Sequence, residues 1–162
     1  NNLKFLSADG LLYSKDGTTL YGVPRGYRGD VKVRPGTETI TRGALIDCLE
    51  ITRLVFPESL ETFSFRETSR MSSLAEVVFK STVPIRTAYA SGEGVFLLQV
   101  ANPKVKIRVP KEARKRYMEQ LVLAPGEYFE TSLPASPPYK VAGHQLPEVK
   151  NISGVKNFDR YE

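Results

Sequence analysis

Cys48 and His144 are the side chains with which this chain could do covalent or proton-transfer chemistry, and each type occurs once among 162 residues. A thiol becomes an activated nucleophile when an imidazole sits within hydrogen-bond reach of it. His144 lies in residues 134–150, a stretch with four prolines and little apolar pattern that reads as an extended tail or linker. Cys48 lies instead in a patterned segment, so the two are not expected to meet. Zinc takes several Cys or His ligands, which this chain does not have. Gly92 and Gly94 lack the Lys-Ser/Thr that completes a phosphate loop. Asp9-Gly10 and Asp16-Gly17 are turn residues, too few to cage calcium. Glu58 and Glu61 read as solvated loop acids. No catalytic residue, metal ligand or cofactor is therefore assigned, and the chain reads as non-enzymatic. One cysteine also excludes an internal disulfide framework.

Charge is the next candidate carrier of function. The chain is net +5, but the excess is local. Lys104, Lys106, Arg108, Lys111, Arg114, Lys115 and Arg116 face one acid, Glu112, so residues 104–116 are net +6 and all others together −1. Nucleic-acid binding would want an aromatic-lined groove or a groove-reading helix, and Tyr117 falls on the core side by helical spacing. Two readings stay open: a solvated helix face, or a site for an acidic partner.

The elements that position these residues can be read from alternation and turns. Residues 11–23, LLYSKDGTTLYGV, place two apolar runs around Lys15-Asp16-Gly17-Thr18, which predicts a β-hairpin. Val31 and Val33 alternate with Lys32 as a strand does. Further strands are expected at residues 53–56, stopped by Pro57, at 76–79 and at 105–109. Ile40 and Leu45 bracket a short helical or irregular segment. Pro110 opens a helix on which Ala113, Tyr117 and Leu121 share one face, leaving Arg114, Lys115, Glu119 and Gln120 to water. Another strand could lie around residues 127–131. Residues 151–162 carry Ile152, Val155, Phe158 and Tyr161, compatible with a weak helix or an extended segment.

These elements repeat. Val31, Leu54 and Val77 are 23 residues apart, as are Val33, Phe56 and Phe79. The same step links Ile40 to Phe63, Cys48 to Met71, and Ile51 to Leu74. The match of Cys48 to Met71 suggests a buried apolar slot, the alternative being a reactive thiol. After Phe79 the period fails, and the strand at 105–109 returns about seven residues late. Glu67 and Thr68 stand where the step would put Ala44 and Leu45, so the segment around residues 65–71 is expected to be partly exposed. A period of this length with spaced aliphatics marks a right-handed leucine-rich solenoid, mostly β with short helices, capped by the N-terminal hairpin and the C-terminal helix. The expected division is residues 1–121 for the capped array and 122–162 for a Pro-rich extension.

In such an array the outward positions of each strand align into rows. One row is Asp30, Arg53, Glu76 and Lys106, whose charges alternate and can pair across strands. The other is Lys32, Val55, Val78 and Arg108, two valines between two cations. Lys32, Arg53, Val55, Glu76, Val78, Lys106 and Arg108 are thus the candidate partner-binding residues, an apolar centre with a charged rim. The alternative is that Val55 and Val78 pack under another segment.

The stretches LYSKDGTTLYGVP and VKVRPGTETITRGALIDCLEITRLVFPESLETF resemble the BspA-like leucine-rich-repeat proteins of bacteria. Ile40, Ala44-Leu45, Asp47-Cys48, Ile51, Leu54, Phe56 and Pro57 fit that repeat in order. Phe63, Met71 to Leu74, Val77 and Phe79 fit it a second time, with departures at Glu67, Thr68 and Lys80. VKIRVPKEARKRYMEQL is similar to the strand, proline and helix that end such arrays. The resemblance covers roughly residues 11–121. It implies a secreted or cell-surface module for adhesion or recognition, with a protein or glycan partner. A structural spacer with no ligand is the alternative, and polyanion binding through residues 104–116 a third. No apolar run is long enough for a membrane helix. With two clean repeats and a modified third, either the hairpin closes the array or the chain is part of a longer one, and its start at Asn1 rather than Met leans to the second.

Overall fold

A computed structural model describes residues 4–64, 66–87, 96–102 and 104–125. The described chain is mostly β with one short α-helix. In order it forms β1 (Phe5–Ala8), β2 (Leu11–Ser14), β3 (Thr19–Gly22), β4 (Gly29–Lys32), β5 (Thr39–Ile40), β6 (Ile51–Phe56), β7 (Thr62–Phe63), β8 (Glu76–Phe79), β9 (Arg86–Thr87), β10 (Phe96–Val100), β11 (Lys106–Arg108), a 3-10 turn (Lys111–Ala113), α1 (Arg114–Gln120) and β12 (Leu121–Pro125). The expected strand around 127–131 and the segments 134–150 and 151–162 lie outside the described residues.

The N-terminal strands follow from turn chemistry. β2 and β3 pair antiparallel, as Asp16-Gly17 predicts. Asp16 accepts hydrogen bonds from the Ser14 hydroxyl at 2.6 Å, the Thr18 N–H at 3.0 Å and the Thr18 hydroxyl at 2.9 Å. Those donors, Ser14 foremost, hold its carboxyl at about 2. Asp9-Gly10 makes a second hairpin between β1 and β2 by the same logic. Both residues take positive φ, 53° and 77°, which a two-residue hairpin turn requires.

Beyond the hairpins every strand pairing is parallel. Val31 of β4 stands beside Leu54 of β6, Leu54 beside Val77 of β8, and Val77 beside Ile107 of β11. The first two steps are 23 residues and the third is 30, the seven-residue delay expected from the sequence. Between those strands the chain passes through a second sheet. There Leu20 pairs with Ile40, Thr39 with Thr62, and Phe63 with Thr87, giving the order β1-β2-β3-β5-β7-β9. The segment after Ile40, expected as helical or irregular, consists of turns.

The core collects the in-pointing residues of both sheets. Val31, Leu54, Val77 and Ile107 form one buried row, and Val33, Phe56, Phe79 and Val109 another. Phe63, Phe56, Phe79 and Tyr117 run ring to ring with centroids 5.0, 5.4 and 5.4 Å apart. Each such contact adds about 0.5–1.5 kcal/mol beyond area burial. Ala113, Tyr117 and Leu121 are buried as the helical spacing predicts, but α1 ends at Gln120 and Leu121 opens β12, which pairs with β10. The Tyr117 hydroxyl donates to the Ser81 carbonyl at 3.0 Å, pinning α1, and burial pushes its pKa up.

Candidate partner-binding face

The outer face of the β11-β8-β6-β4 sheet brings all seven sequence-predicted residues together. Arg53 of β6 stands between Asp30 and Glu76, and Lys106 stands beside Glu76, in the order read from the sequence. Val55 stands between Lys32 and Val78, and Val78 beside Arg108. Lys32 and Lys106 are exposed, while Val78 is half-buried.

For Val55 the structure agrees with the alternative reading, in which the valine is covered. It is only 6% exposed, so it is not the open apolar centre of a patch. It lies on an inner strand of the sheet, with in-register neighbours on both sides. The run Leu54-Val55-Phe56-Pro57 is buried throughout.

The charged row pairs with itself, though along a different path. Arg53 bonds Asp30 at 3.3 Å and also Glu76. The second oxygen of Glu76 is taken by Arg108 at 2.5 Å, from the adjacent row, rather than by Lys106. The guanidinium is a planar fork that reaches diagonally and satisfies a carboxylate, which the lysine ammonium on a point-charge stem does less well. The result is a ladder Asp30–Arg53–Glu76–Arg108 across all four strands. Partial burial pushes the Glu76 carboxyl up, but Arg108 and Arg53 outweigh it and hold the pKa below its usual value. The bond from Glu76, foremost, pushes Arg53 up in return.

The turn side of the repeats holds what the sequence reading missed. Glu67 and Thr68 are buried, not partly exposed. The Glu67 carboxylate accepts the N–H of Gly43 at 2.7 Å and of Leu45 at 3.0 Å, in the turn one repeat earlier. The Thr68 hydroxyl donates to the Gln99 carbonyl. Buried polar groups are tolerated when paired in this way. The signal was present: polar residues at apolar slots of an otherwise unbroken period.

Cys48 fills its slot with no exposed surface, as does Met71 with 1%. Burial, foremost, and the nearby Asp47 and Glu67 push the thiol pKa up to about 11. His144 lies outside the described residues. Among the described residues no group of three or more His, Cys, Asp or Glu could hold a metal, and no helix is long and apolar enough to cross a membrane. No family model matches the chain, and neither does any curated protein or solved structure.

Proposed function

We propose that this chain is a non-enzymatic recognition or adhesion module. In this reading it is a short right-handed leucine-rich solenoid of the BspA-like kind, secreted or displayed at a cell surface. Its protein or glycan partner sits on the outer face of the β4, β6, β8 and β11 sheet. The observation that carries the reading is the parallel register between residues 23 apart, which stacks identical positions of successive repeats into rows. Aligned rows on a regular face are what repeat proteins use for binding. Lys32, Val78 and Lys106 are the accessible contacts on that face, with Arg53, Glu76 and Arg108 as its ion-paired frame and Val55 as support beneath.

The test is binding of the full chain to an array of glycans and extracellular proteins near physiological salt. A Lys32→Glu/Val78→Glu variant runs beside it. A hit at least tenfold weaker in the variant, with an unchanged melting temperature, supports the reading. A hit that the variant binds equally well places the partner elsewhere and overturns the strand-face assignment.

A second reading, a spacer with no ligand of its own, is favoured by one observation. The ladder from Asp30 to Arg108 satisfies its charges internally, and Val55 is covered. Absence of any hit for the parent chain supports the spacer.

A further inference from the structure

The helix that follows β11 presents a second face, independent of the strand rows. Ala113 and Tyr117 turn inward, and the Tyr117 hydroxyl fixes the helix to Ser81. On the other side Lys111, Glu112, Arg114, Lys115, Met118 and Glu119 line an open recess of about 600 Å³. Lys111 and Lys115 are exposed and Arg114 half-buried. Among the described residues none of these three cations makes an ion pair, although two carboxylates line the same recess. The neighbouring cations are engaged differently: Arg108 with Glu76 at 2.5 Å, and Arg116 with the Thr82 carbonyl at 3.1 Å. The stretch of net +6 thus divides into tied cations and free ones, and Lys111, Arg114 and Lys115 are free together on one recess.

We infer that this helix face is a docking site for a sulfated polysaccharide. Charge complementarity selects a polyanion, since unpaired cations held on a fixed helix release counterions when they meet one. The chemistry of the face selects among polyanions. Among the described residues Met118 is the one apolar side chain lining the recess, too little for insertion into a membrane surface, which takes an apolar helix face. Tyr117 is buried, so no ring lining the recess is offered for base stacking. Point charges at helical spacing suit a flexible chain bearing anionic groups along its length. Glu112 lies between Lys111 and Arg114 and Glu119 follows the cations, an interruption that favours spaced sulfates over a continuous charge.

Heparin binding to the full chain, measured across a salt series, tests this. The Lys111→Gln/Lys115→Gln variant is compared with a charge-matched Lys15→Gln/Lys80→Gln variant, at exposed lysines outside both proposed faces. Glutamine keeps the helix propensity of lysine, so melting temperatures should agree. The helix variant should lose at least tenfold in affinity and about two from the slope of log affinity against log salt, one for each cation removed. The control variant should change affinity less than threefold. Equal loss in both variants would make the binding a net-charge effect and overturn the site. Tighter binding to duplex DNA or to phosphatidylserine vesicles than to heparin would overturn the ligand class. No binding to heparin at low salt would overturn the proposal outright.

Discussion

The turn at residues 41–50 and the turn at residues 66–73 carry the same backbone hydrogen bonds offset by 23 residues, yet their interiors are built from different chemistry. The first turns Ala44 and Leu45 inward. The second turns Glu67 and Thr68 inward at the same slots and buries them as fully. The second turn can do so because its polar groups have partners on either side. Glu67 reaches back to Gly43 and Leu45, and Thr68 reaches forward to Gln99. A polar residue thus takes the place of an apolar one at the same slot where neighbouring segments offer it backbone groups to bond. Hydrophobic pattern alone does not define the core of such a chain.

The comparison can be broken most sharply at the slot shared by Cys48 and Met71. Met71→Ala should lower stability by about 2–5 kcal/mol, the range for truncating a buried side chain. Thermal or denaturant unfolding reads it directly. If the two turns are equivalent, the cost should be felt across the stack, with one cooperative transition moving as a whole.

Glu67→Ala comes next. It would make the second turn resemble the first in composition, but it would leave the Gly43 and Leu45 N–H groups without an acceptor. The expected loss is about 1–3 kcal/mol, and Glu67→Gln, which keeps one acceptor oxygen, should lose less. A neutral Glu67→Ala result would mean that the apolar and polar slots are interchangeable and that the bridge contributes nothing.

The strand side gives a smaller, pH-dependent effect. The folded pKa of Glu76 lies below its ordinary value of 4.5, with Arg108 and Arg53 outweighing burial. Its contribution is full above that ordinary value and is lost as pH falls through the lower folded one. Parent and Glu76→Gln stabilities should therefore differ at neutral pH and converge in acid. The difference should stay near 1 kcal/mol or below, since the guanidiniums of the ladder are about a third exposed or more. The smallest effect is expected at Cys48. With the thiol pushed up to about 11 and no surface exposed, labelling of the folded chain at neutral pH should be far slower than of the unfolded chain.

Much of this architecture was legible before any coordinates. The 23-residue step named the partners of Val31, Leu54 and Val77 in exact register, because only residues at one rung position can pair in parallel. Asp16-Gly17 located a hairpin, because few residues accept its backbone. The two-residue strands at Thr39–Ile40 and Thr62–Phe63 were not legible, since alternation needs more than two residues to register. Whether Val55 is open or covered is not legible in the sequence, because alternation assigns a side without saying what stands on it. The diagonal from Glu76 to Arg108 depends on side-chain reach, which spacing does not encode. Glu67 and Thr68 are buried against expectation because polar side-chain type signals exposure while their place in the 23-residue period is a core slot.

The claim beneath the strand-face reading is that residues 23 apart lie side by side in parallel strands. The most direct test is nuclear magnetic resonance of the labelled chain, looking for through-space contacts between backbone protons of neighbouring strands. The account predicts contacts linking Val31 with Leu54, Leu54 with Val77, and Thr39 with Thr62. Antiparallel contacts for the strand Ile51–Phe56, or a register displaced from these pairs, would contradict it.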